Sequence, residues 1–228
     1  MSAPSESARP YGGRSAEERR AERRERLVQA TVRVLGGRGL DATTMTAVCV
    51  EAGLTERYFY ESFKHRDDAL VAALDAVSDQ IARVAVGAID DAVGTPAARV
   101  HAALVTLVAW VDDDPVAARV ALVESTAHPA LRARRRALLG VFADLVVREA
   151  EELFGDEAWS GLRARAQGLL YVAGLAELVT ARLVGDMSIA SEELVEIGAD
   201  SFEQLARRDR VSARQDGVNT AESGTSPS

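Results

Sequence analysis

The chain has 228 residues, 47% of them hydrophobic, enough for one large domain or two small ones around a sizeable core. Aromatics make up only 5%, and a single cysteine, Cys49, excludes an internal disulfide framework and suits a reducing compartment. The net charge of −8 is wrong for a uniformly basic nucleic-acid binder, but residues 14–66 carry 11 Lys/Arg against 8 Asp/Glu, and residues 67–228 carry 15 against 26.

Residues 1–14 are rich in Ser, Pro, Gly and Arg and read as a disordered arm, and residues 209–228 read as a disordered tail. The N-terminus lacks the apolar stretch of a signal peptide. No apolar run reaches the roughly 18 residues that suggest a membrane span. The expectation is a cytoplasmic protein without a membrane partner. Between arm and tail the patterning gives an all-α chain of about nine helices and no convincing strand.

Helix 1 covers about 16–35, with Leu27, Thr31, Val34 and Leu35 at helical spacing, and is ended by Gly36, Gly37 and Gly39. Thr44 is a plausible N-cap for helix 2, where Met45, Val48, Cys49 and Ala52 form one stripe. Gly53 allows a sharp turn, and Thr55 caps helix 3, from Glu56 to about Phe63. Asp67 and Asp68 suit the positive end of helix 4, whose stripe is Leu70, Leu74, Val77, Ile81 and Val84. Pro96 and Pro115 open helices 5 (about 97–112) and 6 (to about Thr126). His128-Pro129 opens helix 7, which Gly155 stops. Helix 8 runs from about Trp159 to Val184, and Ser191 is a plausible N-cap for helix 9, about 192–208.

Helices 2 and 3 with their glycine-containing turn have the layout of a helix-turn-helix, whose second helix enters the DNA major groove. The segment carries Gly39, Thr43-Thr44, Val48-Cys49, Ala52-Gly53-Leu54-Thr55, Tyr60, Phe63, Arg66 and Leu70. In type and spacing these residues resemble the TetR family of transcriptional repressors over about residues 24–72. Two features depart from the family pattern. Arg57 and Tyr58 stand where smaller residues are usual, and Cys49 replaces an alanine. The resemblance implies two divisions, a DNA-binding domain over 15–66 and a ligand-binding and dimerisation domain over 67–208, with the boundary inside helix 4.

Several residues are then candidates for DNA contact. Thr44, at a helix N-terminus, suits a phosphate, although a simple cap needs no DNA. Arg57 and Tyr58 lie in the first turn of helix 3; arginine can grip guanine at two points, and Tyr58 can meet a thymine methyl or a phosphate. Glu56 can accept from cytosine or remain a solvated charge. Thr46, on the outer face of helix 2, and Thr55 complete the reading set. Tyr60 matches a family tyrosine whose hydroxyl meets the DNA backbone, with a core tyrosine as the alternative; Phe59 and Phe63 read as core. Lys64 and Arg66 position the protein on phosphates. Arg14, Arg19, Arg20, Arg23, Arg24 and Arg26 alternate with glutamates and read either as a self-paired helix end or as an arm on DNA.

The resemblance places a small-molecule pocket between helices 5, 7 and 8. Its apolar candidates are Leu104, Leu107, Val108, Trp110, Val111, Leu138, Phe142, Leu145 and Tyr171. Its polar candidates are His101, Glu124, Thr126, Glu177 and Thr180. It also implies a homodimer through helices 8 and 9; periodicity alone shows amphipathic helices whose buried side can belong to the same chain. Arg132, Arg134, Arg135 and Arg136 read as a solvated face.

An enzyme is not expected, nor any metal or cofactor: the three histidines are scattered and no nucleophile or phosphate-binding motif is present. The reading is a homodimeric repressor released from double-stranded DNA by a small hydrophobic effector. The alternative is a helical ligand-binding or adaptor protein without specific DNA binding.

Overall fold

The computed structural model describes residues 15–206, which form nine α-helices and, among the described residues, no strand. They are α1 (Ala16–Arg38), α2 (Met45–Ala52), α3 (Glu56–Ser62), α4 (Arg66–Asp91), α5 (Pro96–Asp113), an interrupted α6 that begins Pro115–Arg119, α7 (Pro129–Phe154), α8 (Gly161–Val184) and α9 (Ser191–Ala206). The all-α expectation holds. Position 14, with its arginine, the arm and the tail all lie outside the described residues.

Local chemistry sets most helix starts. Ser15 and Glu18 form a reciprocal capping box on α1. The hydroxyls of Thr44 and Thr95 accept from Ala47 N–H and Ala98 N–H at 3.1 and 3.3 Å. The Asp68 carboxylate accepts from the N–H groups of Lys64 and His65 at 3.0 and 3.1 Å, closing the start of α4. Thr55 occupies the N-cap position of α3, but its side chain makes no cap bond. Ser191 is the first residue of α9 rather than its cap; its hydroxyl donates to Asp112 at 2.7 Å.

Two further expectations are corrected. Gly36 and Gly37 lie inside α1, and only Gly39, at φ 81°, ends it. A Cβ on Gly36 would lie 2.1 Å from the Val116 carbonyl oxygen, so glycine is what lets α6 cross α1 here. Sequence 115–127 is not one regular helix: the turn Val120–Glu124 is π-helical, followed by one α-turn at Ser125–Ala127.

The structure has two hydrophobic cores. The smaller, under α2 and α3, joins Leu27, Val28, Val48, Cys49, Phe59 and Phe63. The larger includes Val32, Leu35, Leu70, Leu74, Val108, Leu131 and Phe202. Helices α1 and α4 contribute to both. In the body α4 packs on α5, α7 packs on α8, and α9 lies across α5 and α8.

Helix α8 bears on the membrane reading, although Glu177 and Arg182 interrupt its apolar run. Among the described residues it is the one helix long and apolar enough to cross a membrane by length and composition. The embedded Glu177 and Arg182 mask that character in the sequence. In the fold Glu177 accepts from Arg135 at 2.9 Å, and Arg182 bonds Asp112 at 2.6 Å.

Candidate functional site

The first part of the site is the surface of α2 and α3. Gly53 adopts φ 61°, and this left-handed residue turns the chain between them. Phe59 and Phe63 face inward, 1% and 4% exposed, with ring centroids 5.5 Å apart. That leaves Glu56 and Arg57 on the outside. The Arg57 side chain is 84% exposed and lies 3.1 Å from Glu61 one turn on. The Thr46 hydroxyl donates to Glu56 at 3.3 Å, tying the outer faces of α2 and α3 together. Thr44, Thr55 and Lys64 are exposed, and Arg66 is half-buried, 3.9 Å from Asp67.

Tyr58 is more enclosed than Arg57, because the Arg23 guanidinium lies 4.6 Å from its ring centroid. Tyr60 is not a core tyrosine. It is 61% exposed, with its ring edge-on to Phe59. Four of the N-terminal arginines also differ from a self-paired helix end. Arg20 donates to the Glu61 carbonyl at 2.8 Å, and Arg26 to the Ala52 carbonyl at 2.7 Å. Arg23 lies 3.8 Å from the Glu61 carboxylate, and Arg24 covers the Phe63 ring. α1 therefore braces the turn and α3 with cations. Spacing within α1 carries no trace of this, since every partner is more than 25 residues away in sequence.

The second part is a cavity of about 1070 Å³, counted with its solvent-open portion, among α4, α5, α7, α8 and the π-turn. Leu104, Leu107, Val108, Trp110, Val111, Leu138, Phe142, Leu145 and Tyr171 all line it. His101, Thr126 and Thr180 do not. His101 is exposed, and the two threonine hydroxyls donate to carbonyls of their own helices. Glu177 points away to Arg135 with its side chain 67% exposed.

Glu124 is buried but also turns from the cavity. Its carboxylate accepts from the Leu40 N–H, in the connection between α1 and α2, at 3.1 Å. The carboxylate that does line the wall is Glu149, which the sequence reading missed. It is 7% exposed and accepts from Arg99 Nε and Nη2 at 3.0 and 2.8 Å; Arg99 also bonds Glu152. Its burial followed from an i, i+3 step with Val146, but the partner Arg99 is 50 residues distant. The Tyr171 hydroxyl donates to the Gly198 carbonyl at 3.0 Å, and burial raises its phenol above the usual tyrosine range.

The described residues thus combine a helix-turn-helix, braced by α1, with a helical body that holds an apolar cavity. Residues 27–74 match the sequence model of bacterial regulatory proteins, tetR family, so the resemblance read over 24–72 holds for that segment. Three solved structures share the fold. One is a proposed transcriptional regulator from Pseudomonas aeruginosa PAO1 (20% identity, 84% of this chain, 96% of that one, TM-score 0.69). Another is a TetR-like regulator from Rhodococcus sp. RHA1 (17%, 81%, 95%, TM-score 0.65). The third is a transcriptional regulator from Bacillus subtilis solved with stearoyl-CoA (19%, 80%, 97%, TM-score 0.64). A comparison with curated proteins gives no match. The chain thus has the fold of TetR-family transcriptional regulators.

Proposed function

We propose that the protein is a homodimeric transcriptional repressor that binds a specific DNA operator and is released by a small hydrophobic ligand. The observation that carries this reading is the outward, braced first turn of α3, where Glu56 and Arg57 stand clear of the fold. An arginine there can read guanine, while Thr44, Tyr60, Lys64 and Arg66 meet phosphates. Tyr58, with Arg23 over its ring, meets a thymine methyl or a phosphate. Thr46 and Thr55 flank the turn. Residues 15–66 act as the DNA-binding unit, 67–208 as the ligand and dimer unit, in the cytoplasm where the DNA is.

The dimer is supported by the outer face of α8. Leu162, Leu169 and Leu170 are 85%, 47% and 64% exposed, and Gly174 opens outward with nothing near its missing Cβ. This face is read as a helix-pairing surface rather than as a membrane span. Gly168 instead faces α7 of its own chain, and Leu194 and Phe202 of α9 are spent on the body's core. Ile197 is left at the edge of the dimer face.

Ligand in the cavity would press on Ala121 and Leu122 of the π-turn, whose Glu124 holds the Leu40 connection of the head. It lowers DNA affinity only by binding the released state more tightly. A Bacillus subtilis regulator of this fold was solved with stearoyl-CoA, and the apolar acyl chain of that molecule supports an apolar ligand site here. The test is fluorescence anisotropy on DNA from upstream of the gene against scrambled DNA, at two salt concentrations. Tight, sequence-preferring, salt-weakened binding is expected. Equal, weak binding to both would favour a ligand-binding or adaptor protein without specific DNA binding.

A further inference from the structure

Glu61 is the residue of α3 at which the bracing arginines of α1 and the outward Arg57 meet. Its backbone carbonyl accepts from Arg20 Nη2 at 2.8 Å. Its carboxylate lies between two cations: Oε2 is 3.8 Å from Arg23 Nη2, and Oε1 accepts from Arg57 Nε at 3.1 Å. Arg23 in turn lies over the Tyr58 ring. Side-chain exposure falls inward along this row, from 84% for Arg57 to 35% for Glu61 and 25% for Arg23. Glu61 is therefore held from behind while Arg57 reaches out.

An exposed Arg–Glu pair one turn apart adds little to stability. Its effect here is on orientation. Glu61 is tied to α1 through both its backbone and its carboxylate, so its place is set before any DNA arrives. Among the described residues it is the one polar partner of Arg57, and it engages the guanidinium through Nε. The terminal nitrogens Nη1 and Nη2 are left as a planar pair of donors, which matches the O6 and N7 acceptors of guanine in the major groove. An arginine without this tether has the rotamer freedom to swing onto the nearest phosphate, a contact that carries no sequence information.

We propose that Glu61 is a positioning residue for base reading: it holds Arg57 by the Nε edge, so that the terminal nitrogens are presented to guanine rather than to the DNA backbone. This rests on the operator-binding reading above, with Arg57 as the base-reading arginine of α3. Glu61 acts through Arg57 and not on a base. A negative charge at the DNA-facing surface lowers overall attraction to phosphates, and selectivity is what is gained in exchange.

The test selects binding sites from a library of random DNA duplexes, using the full chain unaltered and as Arg57→Ala, Glu61→Ala, Glu61→Gln and the Arg57→Ala, Glu61→Ala double variant. The guanine that Arg57→Ala ceases to select marks the position Arg57 reads. Affinity for the selected duplex is then compared with affinity for the same duplex carrying adenine in place of that guanine. A two-point guanine contact gives the unaltered protein a preference of about fivefold or more. Glu61→Ala should lose most of that preference without a matching loss on scrambled DNA, since removing a negative charge does not weaken phosphate contacts. Glu61→Gln keeps an acceptor for Nε and should retain part of the preference. In the Arg57→Ala background, Glu61→Ala should change the preference no further, as expected of a residue that acts through another. A guanine preference that survives intact in Glu61→Ala overturns the proposal, as does a further change in the double variant. An equal loss on selected and scrambled DNA also overturns it, because that is the signature of a merely structural brace. If Arg57→Ala relaxes no guanine, Arg57 is not the base reader; if the unaltered protein selects no sequence, the operator reading itself falls. Each of these two results removes the inference on grounds distinct from a failure of Glu61.

Discussion

The buried carboxylate of Glu124 accepts a hydrogen bond from the backbone N–H of Leu40, 84 residues away in sequence. It joins the π-turn beside the cavity to the connection that leads into α2. Arg119 makes a parallel link to the Gly36 carbonyl at 3.2 Å. Replacing Glu124 with alanine strands the Leu40 donor and should cost about 1–3 kcal/mol of stability. Glu124→Gln retains an acceptor and should cost less. Thermal melts of the two variants check the order. In DNA-binding assays Glu124→Ala should also blunt ligand release; a variant that melts lower yet releases normally would remove the link from the coupling.

Arg57 tests the reading helix. Its exposed side chain supports no core contact, so Arg57→Ala should leave the melting temperature nearly unchanged. If it reads a base, operator affinity should fall by roughly 1–3 kcal/mol while affinity for scrambled DNA changes little. A matching loss on both DNAs would reduce Arg57 to a phosphate contact.

Gly36 and Gly37 make a paired prediction. Alanine at Gly36 would drive a methyl group into the Val116 carbonyl, and overpacking of this kind costs about 1–3 kcal/mol. Alanine at Gly37 meets nothing within 4 Å and should stabilise the helix by about 0.5–1 kcal/mol. Chemical denaturation should therefore move the two midpoints in opposite directions.

Tyr171 predicts a dependence on alkaline pH. Its folded-state pKa is raised by burial, so the fold holds a proton that the unfolded chain releases near about pH 10. The contribution is fully present below that pH and is lost as pH rises beyond it. At neutral pH Tyr171→Phe should be less stable by about 1 kcal/mol, because it loses the bond to Gly198. Melts between about pH 9.5 and about pH 11 should show that gap closing; a constant gap would mean that the phenol ionises as easily in the fold as outside it.

Features encoded within one or two turns were legible in the sequence. Thr44 caps as expected, and the stripes of α1 and α4 are buried, with Val84 only partly so. The cavity's apolar wall was legible through the family resemblance, which placed a pocket between α5, α7 and α8; periodicity alone showed only that their large apolar residues are buried. The misreadings share a physical cause, which is that a polar side chain's partner is set by tertiary packing. Glu124 and Glu177 look alike as carboxylates in apolar surroundings, yet one is buried on a backbone N–H and the other is exposed and holds a mostly buried arginine. Glu149 was overlooked because Arg99 lies on another helix. Gly36 looked like a terminator because the sequence cannot reveal that α6 presses on it.

The sharing of α1 and α4 between two cores bears on how such proteins can be recombined. A graft that takes residues 15–66 alone would sever Val32 and Leu35 from Leu70 and Leu74, and would expose the Gly36 notch that Val116 fills. A chimera with a new operator specificity is better made by transplanting only the outward side chains of α2 and α3. The underside of α1, the notch and the Leu40 connection would stay with the body they were shaped against.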